Sequence, residues 1–226
     1  MCSRYSLTSP PEAVRDMFGY VNEAEFPPRY NIAPTEPVAI VRTSHSGDRE
    51  LALVRWGLIP SWAKDPTKIS TLINARSETA TVKPSFRASM RHRRCIIPAD
   101  SFYEWTGKPG SKQPHMISFK SGEMMGFAGV WDHWLGPDGS EIDTMAILTT
   151  TPNAEMTKIH DRMPVILDPA DYETWLDCSS GSSVGLQPFL KPVADGSLEI
   201  IAVSKDLNNP RNDRPEIQEP AQGKLF

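Results

Sequence analysis

The chain lacks the means to be held together by disulfides. Its three cysteines, Cys2, Cys95 and Cys178, are odd in number, far apart and free of any Cys-x-x-Cys pair, so no disulfide framework is implied and a reducing cytoplasm fits. The cysteines also lack zinc-site spacing and the five histidines show no paired-ligand pattern, so neither a metal nor another cofactor is expected. Long apolar runs are missing: nothing approaches the ~18 residues of a membrane helix. The N-terminus, MCSRYSLTSP, has no basic segment followed by an apolar one, so it does not read as a signal peptide, and no membrane contact is expected. Excess positive charge is missing too. Lys and Arg number 24 against 28 Asp and Glu, a net charge of -4, so any nucleic-acid site must be a local groove rather than the bulk surface. With no internal repeat, Gly/Ser linker or dividing charge block, residues 1–226 read as a single domain with a polar, Pro-rich tail from about residue 206, extended along the surface.

What the chain does have is proline, 21 residues against 14 glycines, much of it between short apolar runs. That distribution predicts an α+β fold of short, mostly antiparallel strands with a few helices. Ser9 to Val21 reads as a first helix: Ser9 and Glu12 fit a capping box, Pro10 suits the first turn, and Val14, Met17, Phe18 and Val21 form one stripe. Val38–Arg42 and Leu51–Trp56 read as a hairpin around the polar segment Ser44–Glu50. Cys95–Ile97, His115–Phe119, Met124–Trp131, Thr144–Thr150 and Leu198–Val203 are further strands. Asp168 and Pro169 open a helix whose apolar stripe is Tyr172, Trp175 and Leu176.

Four segments hold residues suited to chemistry. Cys2 has a small side chain, so an aminopeptidase can remove Met1. The product carries an α-amine and a β-thiol on one residue. The amine condenses with an aldehyde to an imine, and the thiol then closes a five-membered thiazolidine with the advantage of an intramolecular step. An unperturbed α-amine, with a pKa of about 7.7–8.0, is partly nucleophilic at neutral pH. Taken alone, a cysteine next to a terminus is more often incidental. In Ile73 to Thr79, an amide, a guanidinium and a carboxylate alternate and would share one face of a strand. Asn74 there could hold an amine and Arg76 a phosphate; a solvated loop explains the segment equally well. Glu104 lies between Tyr103 and Trp105. Desolvation against rings would raise its pKa toward general acid-base use, although a strand-end Glu facing water is the commoner case. His160, in Ile159 to Pro164, can exchange protons near neutrality, and Arg162 two residues on could bind phosphate; a lone histidine is more often structural. The basic run Arg87 to Arg94 reads equally as a phosphate groove or a solvated face. Aromatics near the basic segments, Trp56, Trp62 and Phe86, can stack on unpaired bases, but Trp56 alternates with strand apolars and reads as core.

Taken together, these segments resemble the SOS-response-associated peptidase (SRAP) family. The matching stretches are Met1 to Tyr5, Tyr30 to Pro34, Trp56 to Trp62, Ile73 to Thr79, Phe102 to Trp105, Ile159 to Pro164 and Asn208 to Asn212. They run in the family's order over nearly the whole chain. The resemblance implies a thiazolidine between the N-terminal cysteine and the ring-opened deoxyribose of an abasic site in single-stranded DNA. It implies Cys2 as nucleophile, oriented by Asn74, with Glu104 and His160 moving protons. Arg4, Arg76 and Arg162 would contact phosphates, and Pro34, Trp62 and Thr149 would shape the DNA channel. Two positions depart from the family pattern: Ser3 stands where glycine is expected, and Ser61-Trp62-Ala63 where some members carry paired tryptophans. The rival reading of the same Cys2, Glu104 and His160 is an N-terminal-nucleophile amidohydrolase or peptidase acting on proteins. A passive DNA-binding module accounts for the arginines alone.

Overall fold

The hairpin expected from residues 38 to 56 is the start of a closed barrel. In the computed structural model, which describes residues 2–221, it is formed by β3 (Pro37–Thr43) and β4 (Arg49–Trp56); the other strands, in chain order, are β1 (Tyr5–Leu7), β2 (Arg29–Ile32), β5 (Asn74–Arg76), β6 (Arg94–Ala99), β7 (Ser101–Thr106), β8 (Gln113–Phe119), β9 (Met125–Leu135), β10 (Glu141–Thr150), β11 (Met163–Pro164), β12 (Ile166–Leu167) and β13 (Leu198–Ala202). Antiparallel pairs join β4 to β3, β3 to β6, β6 to β9 and β9 to β10. A parallel pair, Thr144 with Arg55 and Met145 with Trp56, then returns β10 to β4 and closes the ring. Closure gives each of these five strands a partner on both sides, and the interior is filled by fully buried Ile40, Trp56, Ile97, Phe127, Met145 and Ile147.

A second, five-stranded sheet runs in the order β13-β8-β7-β1-β2. It joins the barrel through Tyr5, whose ring meets Trp56 edge-on at 5.4 Å and Phe127 at 6.0 Å. The helices are short: α1 (Pro11–Phe18), α2 (Ser77–Ala80), α3 (Arg87–His92) and α4 (Tyr172–Leu176). The α+β class with mostly antiparallel strands is therefore the observed one.

Several local expectations need correction. Helix α1 is shorter than residues 9–21 and has no capping box: the Ser9 hydroxyl instead donates to Asp100 at 2.6 Å, and no side chain caps the first turn. Gly19, at φ 68°, ends the helix in the left-handed region, so Val21 stays 69% exposed instead of joining the stripe of Val14 and Phe18. The basic run is divided between α3 and β6. Arg94 is buried and donates to the carbonyls of Trp175 and Met90 at 2.6 and 2.8 Å, a task internal to the fold. The C-terminal segment is not simply extended. Short 3-10 turns at Lys205–Asn208 and Pro215–Gln218 bury Leu207 and Ile217 against Tyr103.

Candidate functional site

Strand β10 organises the site because two strands leave its end. Ile147, Leu148 and Thr149 pair in parallel with Asn74, Ala75 and Arg76 of β5, while Thr149 and Thr150 pair antiparallel with Pro164 and Met163 of β11. The Asn74 segment and the turn that carries His160 are thus brought to one place. From the other sheet, the residues before β1 run along β7: the Arg4 carbonyl accepts the Tyr103 N–H at 3.0 Å. That pairing brings the start of the chain along β7, near enough for the charge of Glu104 to act on the Cys2 thiol.

Cys2 is fully buried. Asn74 Nδ2 donates to the Cys2 carbonyl at 2.8 Å, and Cys2 Sγ lies 3.7 Å from the Arg4 carbonyl. Burial pushes the thiol well above its ordinary pKa and the charge of Glu104 pushes it further, so it is a neutral thiol at pH 7. Glu104 is 4% exposed. Desolvation raises its carboxyl above the usual carboxylate range, and positive charge on His160 opposes that rise. His160 Nδ1 accepts the Arg162 backbone N–H at 3.0 Å and also lies 2.8 Å from the Asp161 carboxylate.

The residues considered as DNA contacts differ in how they are held. Trp62 is 59% exposed, its Nε1 donating to the Pro84 carbonyl at 3.3 Å, and Arg76 is exposed. Pro34 is half-buried, next to Thr35, a β-branched residue at φ 76°. Arg4 donates to Asn31 Oδ1 at 2.7 Å and to the Leu207 carbonyl at 3.2 Å. Arg162 is 9% exposed, clasped by both carboxylate oxygens of Glu78 at 2.5 and 2.9 Å and by the carbonyl of buried Thr149 at 2.5 Å.

Trp56, Asn31, Asp132 and Glu78 were not singled out for the roles they take here. Trp56 Nε1 donates to the Ile73 carbonyl at 2.9 Å and its backbone pairs with Thr35 and Glu36, so one core ring ties the Pro34 turn to the Asn74 strand. Asn31 holds the C-terminal segment through the carbonyls of Asn209 and Asn212. Asp132 accepts the Ser61 N–H at 2.8 Å and an Arg93 ion pair at 3.0 Å, which fixes the base of the Trp62 loop. Each works through a partner distant in sequence; only Glu78 left a local trace, in the alternation with Asn74 and Arg76, and the strand face expected of the three ends at Arg76, with Glu78 in α2. Among the described residues no cluster of His, Cys, Asp or Glu could hold a metal ion, and no helix is long and apolar enough to cross a membrane.

Comparison with known proteins places the chain in a family. A sequence profile described as SOS response associated peptidase (SRAP) matches residues 1–210. The chain is 41% identical to the abasic site processing protein YoqW of Bacillus subtilis (strain 168) over 223 residues, 97% of this chain and 99% of that one. It is 32% identical to the abasic site processing protein HMCES of Rattus norvegicus, covering 98% of this chain and 76% of the other. A crystal structure of a Bacteroides thetaiotaomicron protein superposes with a TM-score of 0.87 at 28% identity, over 97% of this chain and all of that one.

Proposed function

The chain belongs to the SOS response associated peptidase family, and we propose that it processes abasic sites in DNA by covalent capture through Cys2. The observation that carries this reading is the 2.8 Å contact from Asn74 Nδ2 to the Cys2 carbonyl, beside Glu104. It holds the residue whose backbone nitrogen becomes a free amine when Met1 is removed. The names of the B. subtilis and rat relatives support abasic DNA as the substrate.

The order of steps follows from the electrostatics. The buried thiol is neutral, so the amine attacks first. It adds to the aldehyde carbon of the ring-opened sugar, and the carbinolamine loses water to give an imine. Glu104, whose carboxyl pKa is raised by burial, donates a proton to the departing hydroxyl. The imine is left protonated on nitrogen. The resulting carboxylate takes the Sγ proton as sulfur bonds to the imine carbon. The C=N electron pair returns to nitrogen, which keeps its single proton, and Glu104 ends protonated as it began. The thiazolidine then holds C1′ through both sulfur and nitrogen, and reversal runs through the same groups. His160 exchanges protons with Glu104. Arg76 and Trp62 receive the backbone and a base of a single strand, with Pro34 and Thr149 shaping the channel; Arg4 adds positive charge behind it, and Arg162 stands there with its charge matched by Glu78. A place on DNA in the cytoplasm goes with this role.

The test is one denaturing gel with abasic single-stranded DNA. Wild type gives a shifted band that survives denaturation. A processed Cys2→Ser chain gives no stable band but an imine trapped by borohydride, and a chain forced to keep Met1 gives neither efficiently. Efficient crosslinking by the blocked chain would show that the aminothiol is not the reactive group. A hydrolase acting on proteins gives no trapped DNA in any lane.

A further inference from the structure

The ion pair between Glu78 and Arg162 touches no reacting atom in the reading above, yet it joins the two segments that hold them. Glu78 lies in α2, which begins at Ser77, directly after the strand carrying Asn74 and Arg76. Arg162 lies two residues after His160. Its Nη1 and Nη2 meet the two carboxylate oxygens of Glu78 at 2.5 and 2.9 Å, and Nη2 also meets the carbonyl and the hydroxyl of Thr149 at 2.5 and 3.4 Å. Arg162 is buried while Glu78 is half-exposed, so the carboxylate is the counter-charge that lets a cation sit inside the fold. The hydrogen bonds from Arg162 hold the Glu78 carboxyl below its ordinary pKa.

The same residue reaches the imidazole through its backbone. The Arg162 N–H donates to His160 Nδ1 at 3.0 Å. A nitrogen that accepts carries no proton, so the neutral ring holds its proton on Nε2. The charge at His160 acts on Glu104. Asp161, with Oδ1 2.8 Å from Nδ1, offers the competing arrangement in which Nδ1 is protonated and donates. What decides between them is whether the Arg162 backbone stays in place, and the side-chain clasp fixes that backbone.

We propose that Glu78 is a positioning residue: by clasping Arg162 it holds the Arg162 backbone N–H on His160 Nδ1 and so sets which imidazole nitrogen carries the proton. The consequence for crosslinking rests on the reading of His160 as a proton-transfer group; the positioning itself does not. In this arrangement Glu78 is the resident anion on Arg162, so phosphate attraction in the channel falls mainly to exposed Arg76.

The experiment compares full-length wild type, Glu78→Gln, Glu78→Asp and His160→Ala. In the free protein, two-bond 1H–15N spectra of the imidazoles report the tautomer, with the His160 signal identified by its loss in His160→Ala. Wild type should show the Nε2–H form, Glu78→Gln a mixture with the Nδ1–H form, and Glu78→Asp an intermediate spectrum. Single-turnover crosslinking across about pH 5–8 should slow by about 10- to 100-fold in Glu78→Gln, with an altered pH profile and partial recovery in Glu78→Asp. Affinity for a strand carrying the unreactive tetrahydrofuran analogue should stay unchanged. A wild-type His160 tautomer in Glu78→Gln overturns the proposal. So does tighter binding with faster crosslinking, which would make Glu78 a shield of Arg162 against phosphate. If His160→Ala crosslinks like wild type, the proton-transfer role of His160 falls, while the tautomer spectra still decide whether Glu78 positions the ring.

Discussion

At the scale of the residue, the site places a carboxyl and a thiol where neither is comfortably charged. Glu104 is almost wholly buried, and desolvation raises its pKa. A raised acid favours folding most when protonated: its contribution is fully present below the unfolded value near pH 4.3 and is lost as pH rises through the folded value. Glu104→Gln removes that loss together with proton transfer. The variant should crosslink about 100-fold more slowly, yet its melting temperature relative to wild type should rise between acidic and neutral pH. Rates at pH 7 and melts across the acidic range check both halves. A melting difference that does not change with pH would mean that Glu104 is not held protonated by burial.

At the scale of the element, the segment after β4 shows how a loop is made rigid enough to present an aromatic ring. Gly57 has φ 130°, and a Cβ on it would lie 2.6 Å from Thr71 Cγ2 and 3.2 Å from Arg55 Nη1. No side chain is accommodated there, and the backbone N–H donates to the Met145 carbonyl at 2.9 Å. Beyond it, Ile59 N–H meets the Thr144 hydroxyl, Ser61 N–H meets Asp132, and Trp134 Nε1 donates to the Ala63 carbonyl. Polar side chains of the barrel strands thus pin both sides of exposed Trp62. Gly57→Ala should cost about 1–3 kcal/mol through backbone strain and weaken binding of a fluorescent single strand, read by thermal melting and anisotropy. Unchanged melting and affinity would show that this turn adapts to a side chain.

At the scale of the whole molecule, the C-terminal segment clasps the site from behind. Asn31 is fully buried; its amide donates to the carbonyls of Asn209 and Asn212 at 3.1 and 2.8 Å while its Oδ1 receives Arg4 at 2.7 Å. Asp213 accepts the N–H groups of Tyr30 and Asn31 and an ion pair from Arg29. The strand leading from Cys2, strand β2 and residues 207–213 are therefore one hydrogen-bonded unit. Asn31→Ala strips partners from several partly buried polar groups and should destabilise by about 2–3 kcal/mol, lowering the melting temperature by about 5–10 °C. Crosslinking should slow as well, because Arg4 and the Cys2 segment lose their support. A variant that melts like wild type would show that the clasp adds little to stability.

The sequence by itself determined what is local or chemical. Alternation of apolar side chains marked the β3–β4 hairpin and most later strands, because a strand's period reports which face is buried. The stripe of Tyr172, Trp175 and Leu176 marked α4 for the same reason. The chemistry open to an N-terminal aminothiol could be written down from Cys2, but it was the ordered set of short motifs, which marked the family, that singled that cysteine out. Strands as short as β1 and β5 left too little periodicity to read, and the capping box at Ser9 yielded to Asp100, 91 residues away. Only the tertiary structure decided which charges have partners. Arg94 turned inward to cap carbonyls, Arg162 closed on Glu78, 84 residues distant, and Arg76 stayed exposed. Tertiary structure also joined Asn74 to Cys2 across 72 residues. A sequence records each group's capacity to donate, accept or carry charge, whereas its partner depends on which distant strands come to lie side by side.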